Sequence, residues 1–145
     1  MAEPNDTNLD SGPSRMTRSL PSHFTKALRK EAEDGNPTAM LMLGKSSLDV
    51  DEGLTWLTRA AAAGLAEAYG IAGLSLLRAN RNAEAVAWFR NGAELEEPEC
   101  LYRLGLFAWA GDGVPQDSLQ AFTLIQRAVE AGHREAKKAL TKLQD

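Results

Sequence analysis

The turn from Gly111 to Asp117 carries the most suggestive pattern for ligand chemistry, because glycines alternate with an acid in Gly-Asp-Gly-Val-Pro-Gln-Asp. A phosphate-binding loop requires a run of backbone N–H groups and usually a Gly-Lys-Ser/Thr ending, which this turn lacks. A calcium loop requires acids at several alternating positions, and only Asp112 and Asp117 are present. The pattern instead predicts a tight turn in which glycine adopts a positive φ and Val114 packs between helices.

The two histidines and the single cysteine are the other candidates for catalysis or metal binding. Neither His23 nor His133 belongs to a cluster of carboxylates or cysteines at metal-ligand spacing. The sequence contains no Gly-x-Ser-x-Gly and no His-Glu-x-x-His pattern. Cys100 cannot form an internal disulfide, and its position favours a compact buried side chain over a reactive thiol. We therefore expect no enzymatic activity, no metal and no cofactor.

The composition is typical of a soluble globular protein with a slight excess of acid. The chain has 145 residues, of which 43% are hydrophobic and 25% charged, and its formal net charge is -4. This balance argues against nucleic-acid binding, where clustered Lys and Arg supply the affinity. No apolar run approaches the roughly 20 residues of a membrane span, and the N-terminus has acids where a signal peptide needs bases. Together with the lone cysteine, these features predict a cytoplasmic protein that binds neither nucleic acid nor a membrane.

The elements that position these residues are repeated helices. A small residue is followed five positions later by glycine in three places, Ala39 to Gly44, Ala68 to Gly73 and Cys100 to Gly105. In the helix that follows each copy, Trp56, Trp88 and Leu124 occupy equivalent positions. The frame predicts that Trp56 and Trp88 are core residues, with Trp88 buried between repeats two and three.

The third copy contains the most complete set of repeat residues. Leu104-Gly105, the turn from Gly111 to Asp117, and Ala128-Val129-Glu130-Ala131-Gly132 together resemble the Sel-one-like repeat, a relative of the tetratricopeptide repeat. Trp56 followed by Arg59-Ala60-Ala61-Ala62-Ala63-Gly64 is similar to the same pattern. The resemblance covers about residues 22–143, and it implies an all-α fold, a short α-solenoid of helix-turn-helix repeats.

The repeat frame also predicts how the chain is divided. Residues 1–19 are rich in polar residues and proline, and we expect a disordered tail there because they cannot bury enough apolar surface. The solenoid then comprises a capping half-repeat (20–35), repeat one (36–64), repeat two (65–96), repeat three (97–132) and a C-terminal capping helix (133–145). Ser22, Asn36 and Asp117 or Ser118 are candidate N-caps.

The resemblance implies that the first helix of each repeat lines the inner, concave surface of the solenoid. Exposed apolar surface of this kind marks interaction sites, and Trp and Tyr are common interface anchors. Transferred by alignment, the partner-binding positions are Leu41, Lys45, Leu48, Leu74, Leu77, Arg78, Tyr102, Leu106 and Trp109, with Gly70 among them in repeat two.

The expected function is that of a non-catalytic protein-protein interaction module, an adaptor or regulatory scaffold that binds a protein or peptide segment on this face. The resemblance leaves open a bacterial immunity or secretion-accessory role. Hydrolase activity of the β-lactamase type, suggested for cysteine-rich relatives, is disfavoured because those relatives carry paired cysteines in each repeat. The face could also be covered by the N-terminal tail or by a second copy in a homodimer.

Overall fold

A computed structural model describes residues 21–144 of the chain, and within them eight α-helices form the predicted all-α solenoid. The predicted N-terminal tail, residues 1–19, lies outside this part. The helices are α1 (Ser22–Glu33), α2 (Pro37–Ser46), α3 (Val50–Ala62), α4 (Glu67–Arg78), α5 (Asn82–Glu94), α6 (Pro98–Ala110), α7 (Ser118–Glu130) and α8 (Arg134–Gln144). Within residues 21–144, none of these helices is long and apolar enough to cross a membrane.

The first helices of the repeats are closer to one another than the second helices are. Each helix packs against the next along the chain, and α4 also contacts both α2 and α6. Over the described part of the chain, no comparable contact joins α3 to α5 or α5 to α7. The stack therefore curves with α2, α4 and α6 on its inner side.

In each repeat, a glycine of the first helix receives a large side chain from the second helix. A Cβ added at Gly44, Gly73 or Gly105 would come within 3.0 Å of Leu57, Phe89 or Ile125, respectively. These three large side chains are fully buried, at 0% exposure. Only glycine leaves enough room for the two helices to approach this closely, because it has no side chain.

The prediction that both tryptophans are core residues is right for Trp56 and wrong for Trp88. Trp56 is 7% exposed, whereas Trp88 is only half-buried. The side chain that meets the helix glycine comes one position later, so Phe89 fills the core of repeat two. Trp88 instead lies beside α3 and α4, between repeats one and two, with its ring centroid 5.7 Å from that of Tyr69.

The residue that precedes a first helix often caps it with its own side chain. The Asn36 amide oxygen accepts hydrogen bonds from the N–H groups of Thr38 and Ala39, as predicted. At the equivalent repeat position, the Glu97 carboxylate accepts from the Cys100 N–H at 3.0 Å. These hydrogen bonds satisfy N–H groups that the first turn of a helix leaves without partners.

Of the other predicted caps and turns, the Asp117 cap and the turn after α6 are confirmed, and the Ser22 cap is not. Asp117 caps α7 by accepting from the Gln120 N–H at 3.0 Å, as expected. Gly111 and Gly113 have φ values of 73° and 74°, which confirms the tight turn between α6 and α7. The prediction that Ser22 caps α1 is wrong, because Ser22 is already helical and Pro21, which has no side-chain acceptor, occupies the N-cap.

Replacing Phe89 with alanine is expected to lower the free energy of unfolding by about 3–5 kcal/mol, as removal of a buried aromatic ring does. Trp88→Ala should cost at least about 1 kcal/mol less, because part of the ring already contacts solvent. The exposed Arg90→Ala on the same helix serves as control and should change stability by under about 0.5 kcal/mol. Urea unfolding measures all three, and equal losses for Trp88→Ala and Phe89→Ala would contradict this assignment of the core.

Candidate partner-binding face

The residues predicted to line the inner side of the solenoid lie on α2, the turn after it, α4 and α6. Four of the predicted residues, Leu74, Leu77, Tyr102 and Leu106, are half-buried and pack against the core with part of their surface open. The others are exposed, and they are Lys45, Leu48, Arg78 and Trp109. The seven of these residues that lie on α2, α4 and α6, without Leu48, are called the inner face below.

Leu41 does not belong to the inner face, because its side chain is only 8% exposed. It lies in the core cluster that also contains Ala68 and Ala72 of α4. Since α2 packs against α1, α3 and α4, this position is enclosed rather than open to a partner. Gly70, at the equivalent position of α4, is also buried, under the side chains of Glu97 and Glu99.

The junction of α4 and α6 contains a small cavity on the inner face. Leu77 and Leu106 line it together with Arg103, Phe107, Ala110 and Asp112, and its volume is about 180 Å³. Sites for small molecules and cofactors usually exceed about 300 Å³, so this cavity suits one large side chain of a partner better. Trp109, one turn after Leu106 on α6, is 42% exposed.

Leu48 lines a different cleft from the one at the junction of α4 and α6. It is 73% exposed and lines a separate cleft of about 290 Å³ with Thr25, Arg29 and Trp56, among others, at the N-terminal end of the solenoid. The structure thus brings Leu77 and Leu106 together in one cavity and leaves Leu48 outside it.

A hydrogen-bonded network adjoins Tyr102 at the other end of α6. The Glu99 carboxylate accepts from Arg103 Nε at 2.6 Å and lies 2.7 Å from His133 Nε2. His133 Nδ1 accepts from the Ala136 N–H at 3.1 Å and so caps α8. Because a backbone N–H can only donate, Nδ1 must carry the lone pair and Nε2 the proton given to Glu99.

The same network fixes the ring of Tyr102. The ring lies against His133, with centroids 4.5 Å apart, and the Arg103 guanidinium lies 5.5 Å from the ring centroid. The sequence interpretation missed this cluster because it treated His133 as isolated. The position of His133 in the sequence could have indicated its capping role, because Asn36 and Glu97 occupy the equivalent capping position in earlier repeats.

The electrostatics of Glu99 follow from these contacts. Partial burial raises the pKa of the Glu99 carboxyl, but the hydrogen bonds from Arg103 and His133 lower it by more, so the pKa lies below its ordinary value. The folded state therefore favours the ionised carboxylate.

The groups that could do covalent chemistry are placed for packing. Cys100 is 0% exposed, which confirms its predicted role as a compact buried side chain. Burial raises the pKa of its thiol, which disfavours the reactive thiolate. Among residues 21–144, no three His, Cys, Asp or Glu side chains are grouped so that they could hold a metal ion.

Comparison with known proteins agrees with this architecture. The Sel1 repeat model matches residues 37–65, 65–96 and 98–133. A Sel1 repeat protein from Oxalobacter formigenes has a similar structure, with a TM-score of 0.66 and 27% sequence identity over 81% of this chain and 96% of its own. No curated protein matches the sequence.

Two further solved structures are similar. A protective antigen of uropathogenic Escherichia coli, which displays an SLR fold, has a TM-score of 0.74 and 27% identity over 86% of this chain. The alignment covers 29% of the antigen, so this chain spans less than a third of its length. Cysteine rich protein B of Helicobacter pylori has a TM-score of 0.61 over 80% of this chain and 96% of its own, and at 16% identity it shows the fold alone.

Replacing Glu99 with glutamine is expected to make stability less dependent on pH. A carboxyl whose folded pKa lies below its unfolded value, near 4.5, stabilises the fold fully above that value. The contribution is lost as the pH falls through the folded pKa. The difference in melting temperature between wild type and Glu99→Gln should therefore be largest at neutral pH and shrink below about pH 4.

Glu33→Gln serves as the matched control for this comparison. Glu33 is exposed and makes no ion pair within residues 21–144. A melting-temperature difference for Glu99→Gln that stays constant from pH 7 to pH 3 would show that the charge on Glu99 does not stabilise the fold.

Proposed function

Because the chain belongs to the Sel1 repeat family, we propose that it is a non-catalytic protein-interaction module, an adaptor or regulatory scaffold that binds a partner segment on its inner face. Proteins of this family commonly serve as scaffolds for protein interactions. The proposed compartment is the cytoplasm, since a single buried cysteine suits a reducing environment.

The observation that carries this proposal is the apolar surface shared by α4 and α6. Leu77 and Leu106 come from different repeats and line one cavity. Trp109 is exposed nearby on α6, although tryptophan is usually buried or engaged in an interface. A cavity lined mostly by apolar side chains, with an exposed tryptophan one turn further along α6, is the kind of surface at which a partner anchors.

The half-buried residues of the inner face also pack against the core. Leu74, Leu77, Tyr102 and Leu106 pack against the buried core, which limits the rotamers that binding must freeze. The Tyr102 ring also contacts the His133 ring and the Arg103 guanidinium. A surface that is ordered before binding loses less conformational entropy when a partner docks.

The double variant Leu106→Ser with Trp109→Ala is expected to weaken binding of the main partner by about thirtyfold or more, as loss of a central anchor does. Helicity should survive, because Trp109 is exposed and Leu106 is only half-buried. Affinity capture from the native cell with mass spectrometry identifies the partner, and titration with the purified partner gives the affinity.

Arg90→Glu is the control, because Arg90 is exposed on α5, a second helix away from the inner face. A folded double variant that binds the partner as tightly as wild type would contradict the proposal. If the only binder is a second copy of the chain, and the double variant is monomeric where wild type is dimeric, the inner face is a homodimer interface.

A further inference from the structure

The position that directly follows the helix glycine forms a row across the four first helices of the solenoid. It is occupied by Lys45 in α2, Leu74 in α4 and Leu106 in α6. In α8, where Ala136 corresponds to Cys100, the equivalent residue is Lys142. The row therefore has an apolar centre and a lysine at each end.

A second set of equivalent repeat positions also has a lysine on α8. Lys138 of α8 is equivalent to Tyr102 of α6, so α8 presents two lysines, Lys138 and Lys142, where α6 presents a tyrosine and a leucine. Both α8 lysines and Lys45 are exposed. Within residues 21–144, none of these three lysines forms an ion pair. Several arginines elsewhere on the solenoid are paired: Arg29 with Glu52, Arg81 with Asp51 and Glu84, and Arg127 with Glu96.

The interaction of lysine with the helix dipole accounts for only part of this pattern. Lys45 and Lys142 lie in the last turns of α2 and α8, where a positive charge is favourable. Lys138 lies in the middle of α8, where this effect has faded. Its placement one turn before Lys142 concentrates positive charge on α8, whose first turn adjoins α6 through the contact of His133 with Glu99.

From this charge distribution we infer that the partner segment has an apolar centre flanked by acidic residues at both ends. The inference rests on the proposed function, since it specifies the occupant of the same inner face. The apolar centre would fill the cavity between Leu77 and Leu106, and carboxylates would pair with Lys45 at one end and with Lys138 and Lys142 at the other.

The acids of the segment have an expected spacing. Packed helices are typically about 8–10 Å apart, and at that spacing the three steps along the first helices from α2 to α8 would span roughly 24–30 Å. An extended chain covers that distance in roughly eight residues, at about 3.3 Å per residue. The chain itself has a net charge of -4, so the attraction of an acidic segment is local to these lysines, and salt should weaken it.

Selection from a phage library of random 20-residue peptides tests the inference and does not require the natural partner. Enriched peptides should carry large apolar residues with Asp or Glu on both sides. For a synthetic peptide of the enriched sequence, Lys45→Glu and Lys142→Glu should each weaken binding about twofold to fivefold, as loss of an exposed ion pair does. Arg90→Glu should leave the affinity unchanged.

The outcomes separate this inference from the proposed function. The inference would be overturned by enriched peptides that lack flanking acids, or by peptides that bind both lysine variants as tightly as wild type. If those peptides still lose binding to Leu106→Ser, the proposed function would stand. Peptides that bind Leu106→Ser as tightly as wild type, or a selection without enrichment, would count against both.

Discussion

The architecture depends on one contact made three times, that of a helix glycine with a large buried side chain from the paired helix. Leu57, Phe89 and Ile125 occupy the space that a Cβ at Gly44, Gly73 or Gly105 would need. This contact sets the distance between the two helices of each repeat. Because the same contact recurs, the two helices of each repeat pack in the same register.

The inner face follows from this register. Glycine has no side chain on the side of the first helix that packs against the second helix of the same repeat. The next residue, Leu74 or Leu106, is half-buried and lies at the boundary between core and solvent. Leu77 and Leu106 can share a cavity because α4 and α6 pack side by side. The network of Glu99, Arg103 and His133 then joins α6 to α8 and fixes Tyr102 between them.

The sequence was sufficient to predict the repeat frame, the solenoid class and several caps, because spacing and turn chemistry are local signals. It misassigned Trp88, since a large aromatic at a repeat position predicts burial, and the structure buries its neighbour Phe89 instead. Leu41 was predicted on the inner face, but enclosure by α1, α3 and α4 is a tertiary effect that alignment to one repeat does not contain. The contact of His133 with Glu99 joins residues a whole repeat apart, so its geometry required the folded chain.

A double-mutant cycle between Gly73 and Phe89 tests the central contact most directly. In an ordinary helix interior, Gly→Ala stabilises by about 0.5–1 kcal/mol. Here Gly73→Ala should instead destabilise by about 1–3 kcal/mol, because the added methyl group collides with the Phe89 ring. In a Phe89→Ala background the same change should become neutral or stabilising, which gives a clear coupling energy in urea unfolding. A Gly73→Ala effect that is stabilising in wild type, or unchanged when the ring is removed, would contradict the account.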